Sequence, residues 1–152
     1  GPLGSVIRKG KYASRRHLFE TLGEYLAGAC LELPSVDAVV SVPLPWRRLW
    51  MRGFNQSNVL SLEVARILNA PHFELLQRID PKEQASRMIQ DRSIRITGRF
   101  GLHPRVDEDG IPESLLLVDD VVTSGATFEG CAIELLNIGV RRVFGVAVAN
   151  SR

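Results

Sequence analysis

Stretches in which apolar residues step by three and four alternate along this chain with short unbroken apolar runs, the pattern of helices set between buried strands. Residues 14–32 carry Leu18, Leu22, Tyr25, Leu26 and Cys30 on one helical face, and Pro34 ends the element. Val36–Val42 is rich in β-branched residues and reads as a buried parallel strand. Pro43-Leu44-Pro45 breaks it and opens a loop dense in arginine and tryptophan. A second helix is expected over Asn55–Leu68, with Leu60, Val64, Ile67 and Leu68 on its buried face. After the turn Asn69-Ala70-Pro71, His72–Gln77 reads as one short strand. Two more apolar strands, Leu115–Asp119 and Val143–Ala149, flank a helix over Phe128–Asn137, for which Gly139 is a good C′ residue.

Strands alternating with helices and joined by right-handed crossovers make an α/β fold, an open and mostly parallel sheet flanked by helices. Ligands of such sheets bind beyond the carboxyl ends of the strands, where Pro43–Arg52 and Asp119–Thr127 both fall. Asp80–Arg99 differs in kind: its periodicity is weak, and Lys82, Arg87, Arg92, Arg95 and Arg99 outnumber its acids, so it is expected to form a basic lid. No internal repeat and no Pro/Gly/Ser-rich linker divides the chain, which predicts one domain. Gly1-Pro2-Leu3-Gly4-Ser5 is what a protease-cleaved fusion tag leaves behind, so residues 1–5 are set aside and 6–152 are read as that domain.

At 152 residues the chain is long enough to bury a core without disulfides or metal. Hydrophobic residues make up 45 % of it, yet no apolar run approaches the length of a membrane span. Cys30 and Cys131 stand alone, one in each half, and are expected to be buried thiols in a reducing cytoplasm. His17, His72 and His103 share no ligand spacing, which argues against a metal site built of side chains. A net charge of +2 does not by itself point to nucleic acid. The distribution is more informative: Arg8, Lys9, Lys11, Arg15 and Arg16 crowd the start, Arg47, Arg48 and Arg52 crowd the central loop, and acids dominate Asp107–Glu113.

The chemistry concentrates in Leu115–Thr127, LLLVDDVVTSGAT. An apolar strand delivers two carboxylates suited to sugar hydroxyls, and the turn Thr123-Ser124-Gly125-Ala126-Thr127 adds hydroxyls and backbone N–H groups at a helix N-terminus, where an anion is stabilised. Gly125 lets the backbone approach a phosphate closely. A strand ending in two aspartates would also suit a nucleotide triphosphatase, but the chain has no G-x-x-x-x-G-K-[ST] loop, and no G-x-G-x-x-G follows a strand. An ordinary N-capped helix would need neither two adjacent acids nor three hydroxyls in Asp119–Thr127.

This stretch resembles the phosphoribosyl pyrophosphate (PRPP) loop of the type I phosphoribosyltransferases. The resemblance implies that Asp119 and Asp120 bind the ribose 2′- and 3′-hydroxyls, and Mg²⁺ directly or through them, while Val121, Val122 and Thr123, Ser124, Gly125, Ala126 and Thr127 cradle the 5′-phosphate. Ser41–Gln56 (SVPLPWRRLWMRGFNQ) would face the pyrophosphate, with Arg52 or Arg47 neutralising it. V-P-L, the arginine cluster, R-G-F-N-Q, a basic lid with Gln84 and Arg92, and V-D-D-V-V-T-S-G-A-T together resemble the ComF family of competence proteins, which includes the GntX-type proteins. The match runs from Ile7-Arg8-Lys9-Gly10 to the end of the chain.

That resemblance implies a role in natural transformation and DNA uptake: binding PRPP with Mg²⁺ and single-stranded DNA on the cytoplasmic side, peripheral to the inner membrane or free of it, beside proteins of the uptake machinery, with a homodimer left open. Family members commonly begin with a four-cysteine zinc-binding module; either it was trimmed away here, which the tag remnant running straight into Val6 favours, or the native protein lacks it, and Zn²⁺ is expected only in such a module. Independently, Trp46, Trp50 and Phe54 interleave with Arg47, Arg48 and Arg52, a composition that can stack bases and neutralise phosphates; Lys9 and Lys11 join them as candidate nucleic-acid contacts. Two other readings stay open, an active phosphoribosyltransferase on an unidentified acceptor and a PRPP-sensing regulator without turnover, because no base-recognising residue or catalytic group stands out.

Overall fold

The computed structural model describes residues 2–79, 100–103 and 110–151. The expected basic lid over 80–99, with Gln84 and Arg92, lies outside the described residues. In order, the elements are α1 (Pro2–Cys30), β1 (Ala38–Ser41), α2 (Trp46–Arg52), α3 (Gln56–Leu68), β2 (His72–Phe73), β3 (Leu76–Arg78), β4 (Phe100–Leu102), β5 (Ser114–Val122), α4 (Ala126–Asn137) and β6 (Arg142–Asn150).

Four strands form a parallel sheet in the order β2-β1-β5-β6. Both faces are buried, which is why its central strands read as unbroken apolar runs rather than as alternations. The pleat divides β1 and β5 between two cores. Ala38, Val40, Leu115 and Leu117 pack with Cys131 and Leu135 of α4, whereas Val39, Leu116 and Val118 pack with Leu26, Ala27 and Cys30 of α1 and Leu60, Val64 and Ala65 of α3. Helices α1 and α3 meet closely at Gly23, where an added Cβ would come within 2.7 Å of the Glu63 Cβ. Both cysteines are free and buried, on opposite faces of the sheet, and burial pushes the Cys131 thiol up to about 12.

The chain leaves β1 through α3 to β2 on one side and leaves β5 through α4 to β6 on the other. The direction of winding therefore switches between β1 and β5, and their carboxyl ends, near Ser41 and Asp119, are where an open sheet offers a ligand crevice.

Four details differ from the sequence-based expectation. Helix α1 begins at Pro2 rather than near residue 14, so it takes in residues 2–5 as well. On it Leu18 and Tyr25 are exposed, because the stripe that meets the sheet runs through Leu22, Leu26, Ala27 and Cys30. The arginine- and tryptophan-rich segment is a helix, not a loop. His72–Gln77 is two strands in different sheets, β2 pairing in parallel with β1 and β3 running antiparallel to β4.

Candidate functional site

Strand β5 carries the acidic pair past the end of its neighbour. Its ladder with β1 ends at Ser41 opposite Val118, but its ladder with β6 continues through Asp119 opposite Ala147 to Val122 opposite Asn150. The acids thus sit within the strand rather than at its tip. Asp119 is only 8 % exposed, and its Oδ1 accepts hydrogen bonds from Ser57 Oγ and from the Asp120 amide, each at 2.8 Å. Burial pushes the Asp119 carboxyl up to about 6, against the lowering effect of the Ser57 hydroxyl. Asp120 is half-buried, and its Oδ1 accepts from the Val121 amide at 2.8 Å.

The turn after β5 runs through exposed Thr123 and Ser124 to Gly125, whose φ of +81° is left-handed backbone that favours glycine. Ser124 Oγ accepts from the Ala126 amide at 3.3 Å, and α4 starts there, its positive dipole end on the same edge of the sheet as the acids. This is the local geometry expected of an anion-binding turn.

The opposite wall comes from the segment after β1. Val42 donates its amide to Val118 O at 2.9 Å, and Pro43-Leu44-Pro45 then leads into α2. Pro45, with φ of −55°, is preset for a helix start. Gly53, at φ +81°, ends the helix and donates its amide to Leu49 O at 2.8 Å. No residue of α2 is buried, so it has no apolar stripe from which periodicity could have revealed it. Asn55 then ties α3 to the sheet, accepting from the Ser57 amide at 3.0 Å and donating to Val42 O at 3.2 Å.

Between these walls lies a pocket of about 280 Å³ in which Asp119, Asp120, Val121 and Thr127 face Arg48, Arg52, Gln56, Ser57 and Arg78. Arg52 donates to Gln56 Oε1. Of the candidates for a ribose phosphate, the pocket gathers the acidic pair, Val121, Thr127 and Arg52; Val122 ends β5, Ala126 opens α4, and Thr123, Ser124 and Gly125 form the turn between them. Arg78 and Ser57 line the pocket too, without a sequence signal of their own. Arg78 reaches the pocket from β3, its guanidinium 4.2 Å from the centre of the Phe100 ring and its Nε donating to Pro43 O at 3.4 Å. Nothing local in the sequence marks it, since its place depends on the β3–β4 pairing.

A second cavity, a groove of about 870 Å³, opens between α1 and α2, lined by Lys9, Lys11, Tyr12, Arg15, Trp50, Met51, Arg52 and Gly53 among others. Four nucleic-acid candidates meet here: Lys9, Lys11, Trp50 and Arg52. Trp50 is 85 % exposed and Trp46 66 %. Arg47 lies with its guanidinium 5.7 Å from the Trp46 ring centre and lines neither cavity, while Arg48 belongs to the acidic pocket. Phe54, expected to join the stacking residues, is buried instead, edge-to-face with Tyr12 at 5.2 Å and with Phe19 at 6.0 Å. It anchors the end of α2 to α1 and has no face to offer a base.

Among the described residues no three His, Cys, Asp or Glu side chains gather into a metal cage. The adjacent carboxylates suit a different ion. Mg²⁺ takes one or two protein carboxylates and completes its shell with water and phosphate oxygens, and Asp119 and Asp120 are the residues that would hold it.

No family model matches the chain. It is 30 % identical over 161 residues to competence protein F of Haemophilus influenzae, covering 97 % of this chain and 69 % of that protein. It is 31 % identical over 157 residues to the DNA utilization protein YhgH of Salmonella typhi, covering 93 % of this chain and 64 % of that one. The chain thus spans about two thirds of the length of these relatives. Among solved structures, the glutamine PRPP amidotransferase of B. subtilis, complexed with ADP and GMP, superposes with a TM-score of 0.59 at 16 % identity, over 86 % of this chain and 26 % of that one. The sheet order, the parallel pairing and this superposition establish an α/β fold of the type I phosphoribosyltransferase kind, and the likeness to competence protein F over nearly the whole chain shows that the protein belongs to the competence protein F family.

Proposed function

We propose that this protein binds PRPP together with Mg²⁺ in the pocket between β5 and α2, binds single-stranded DNA in the neighbouring groove, and serves the handling of incoming DNA in natural transformation on the cytoplasmic side. The observation that carries this reading is the opposition, across one pocket, of buried Asp119 and half-buried Asp120 to Arg48, Arg52 and Arg78. A sugar with vicinal hydroxyls and phosphates at both ends matches that polarity. Carboxylates accept from the hydroxyls, the turn Thr123–Thr127 receives the 5′-phosphate, and the guanidiniums pair with the pyrophosphate in the bidentate manner that suits arginine. Relatives named for competence and for DNA utilization support the DNA half, as do the cations and the exposed tryptophan of the groove.

The test is thermal. PRPP with Mg²⁺ at about 100 times its Kd should stabilise the protein by about 2.7 kcal/mol, a rise of several degrees in Tm. Asp119→Ala combined with Asp120→Ala should abolish that rise. An equal rise in wild type and double variant would overturn the assignment of the pocket. Pyrophosphate release, followed in parallel over a panel of bases and DNA, separates turnover from binding.

A further inference from the structure

Arg52 is the one side chain of those named above that lines both cavities: the acidic pocket with Asp119, Asp120, Arg48 and Arg78, and the basic groove with Lys9, Lys11, Arg15 and Trp50. We propose that Arg52 is a shared phosphate contact through which PRPP and single-stranded DNA bind antagonistically, each weakening the other. This rests on the function proposed above and adds to it a rule of exchange between the two ligands.

The argument is one of charge and geometry. A guanidinium binds a phosphate most strongly when its planar fork is committed to that one anion, and Arg52 already gives a donor to Gln56. A pyrophosphate held in the pocket therefore draws the remaining donors away from the groove. A DNA phosphate brought up to the same residue also stands within a Debye length, about 8 Å at physiological salt, of the anion that Arg52 holds, so the two repel. The helix that carries Arg52 buries none of its seven residues; Pro45 starts it and the left-handed Gly53 ends it. Such an element can turn Arg52 toward either cavity without disturbing the core. Because binding free energies are linked, the loss must be reciprocal.

Fluorescence anisotropy of labelled oligo(dT), titrated in Mg²⁺ with and without saturating PRPP, reads the coupling directly; matched KCl corrects for ionic strength. PRPP should weaken DNA binding by about fivefold or more, and calorimetry should show oligo(dT) weakening PRPP by the same factor. In Arg52→Gln each ligand should bind alone, more weakly, with the coupling factor reduced to about 1. Lys9→Ala with Lys11→Ala should lower DNA affinity yet keep the factor. If both ligands bind the wild type independently, or PRPP tightens DNA, or the antagonism survives Arg52→Gln, the exchange rule is overturned while the proposed function stands. Failure of either ligand to bind wild type overturns the proposed function, and the exchange rule falls with it.

Discussion

Asp119 pairs two properties that the sequence shows only one of. Its place before Asp120 in an apolar run is visible in the order of residues, but its burial and its bond to Ser57 arise from the fold, across 62 positions. Burial raises its carboxyl to about 6, so the folded state favours the protonated form. The stabilisation that protonation brings is fully present below the ordinary carboxyl value of 3.8 and is lost as pH rises through about 6. Asp119→Asn keeps an oxygen to accept from Ser57 and from the Asp120 amide while removing the buried charge. Denaturant midpoints should therefore show the variant more stable than wild type at pH 8, by on the order of 1–3 kcal/mol, with the difference closing below about pH 4. A difference that is constant across that range would mean that the Asp119 charge is not what burial penalises. A buried carboxyl raised in this way and lining a pocket is the kind of group that marks a candidate ligand site.

At the scale of elements, sequence patterns revealed what is buried and missed what is not. The runs of β1 and β5 and the stripe of α3 were legible because both sheet faces are covered, and β6 because Phe144 and Val146 pack in the same core. Helix α2 was invisible because none of its residues is buried, and β3 merged with β2 because the two residues between them, Glu74 and Leu75, carry no turn signature. Even within α3 the expected face was shifted: Ile67 is exposed, and Ser57, Val59 and Ser61 face inward, Ser57 reaching Asp119 through its hydrogen bond. The exposure of α2 has a mechanical consequence. A helix of seven residues is marginal by itself and depends on its caps. Gly53→Ala would force a Cβ into left-handed backbone and to within 2.9 Å of the Tyr12 ring, a strain of about 1–2 kcal/mol. Amide exchange at Arg48 and Leu49, which bond to Pro45 O, should accelerate several-fold while global Tm moves by roughly 2 °C or less. A fall of many degrees with those amides still protected would show that α2 is part of the core's cooperative unit.

Over the whole molecule, the winding switch between β1 and β5 places the crevice, and the placement of charge sets acids on one side of it against arginines on the other. The net charge of +2 gave no hint of this, because 17 acids spread along the chain offset most of its 19 lysines and arginines in the sum. Lys9, Lys11 and Arg15 come from the first helix and Arg52 from the second, and only the packing of α1 against the end of α2, through Tyr12 on Gly53 and Phe54, brings the four to one groove. Counter-ion release makes that gathering measurable. If all four cations contact phosphates, log affinity for oligo(dT) should fall with log salt at a slope of about −3, given roughly 0.7 ion released per contact on a single strand. Lys9→Ala with Lys11→Ala should flatten the slope by roughly 1.4. Trp50→Ala, which removes a stacking face and no charge, should lower affinity by about 1–3 kcal/mol and leave the slope where it was. A slope unmoved by the lysine pair would place the strand elsewhere on the molecule, whereas a slope changed by Trp50→Ala would mean that the tryptophan positions the cations rather than a base.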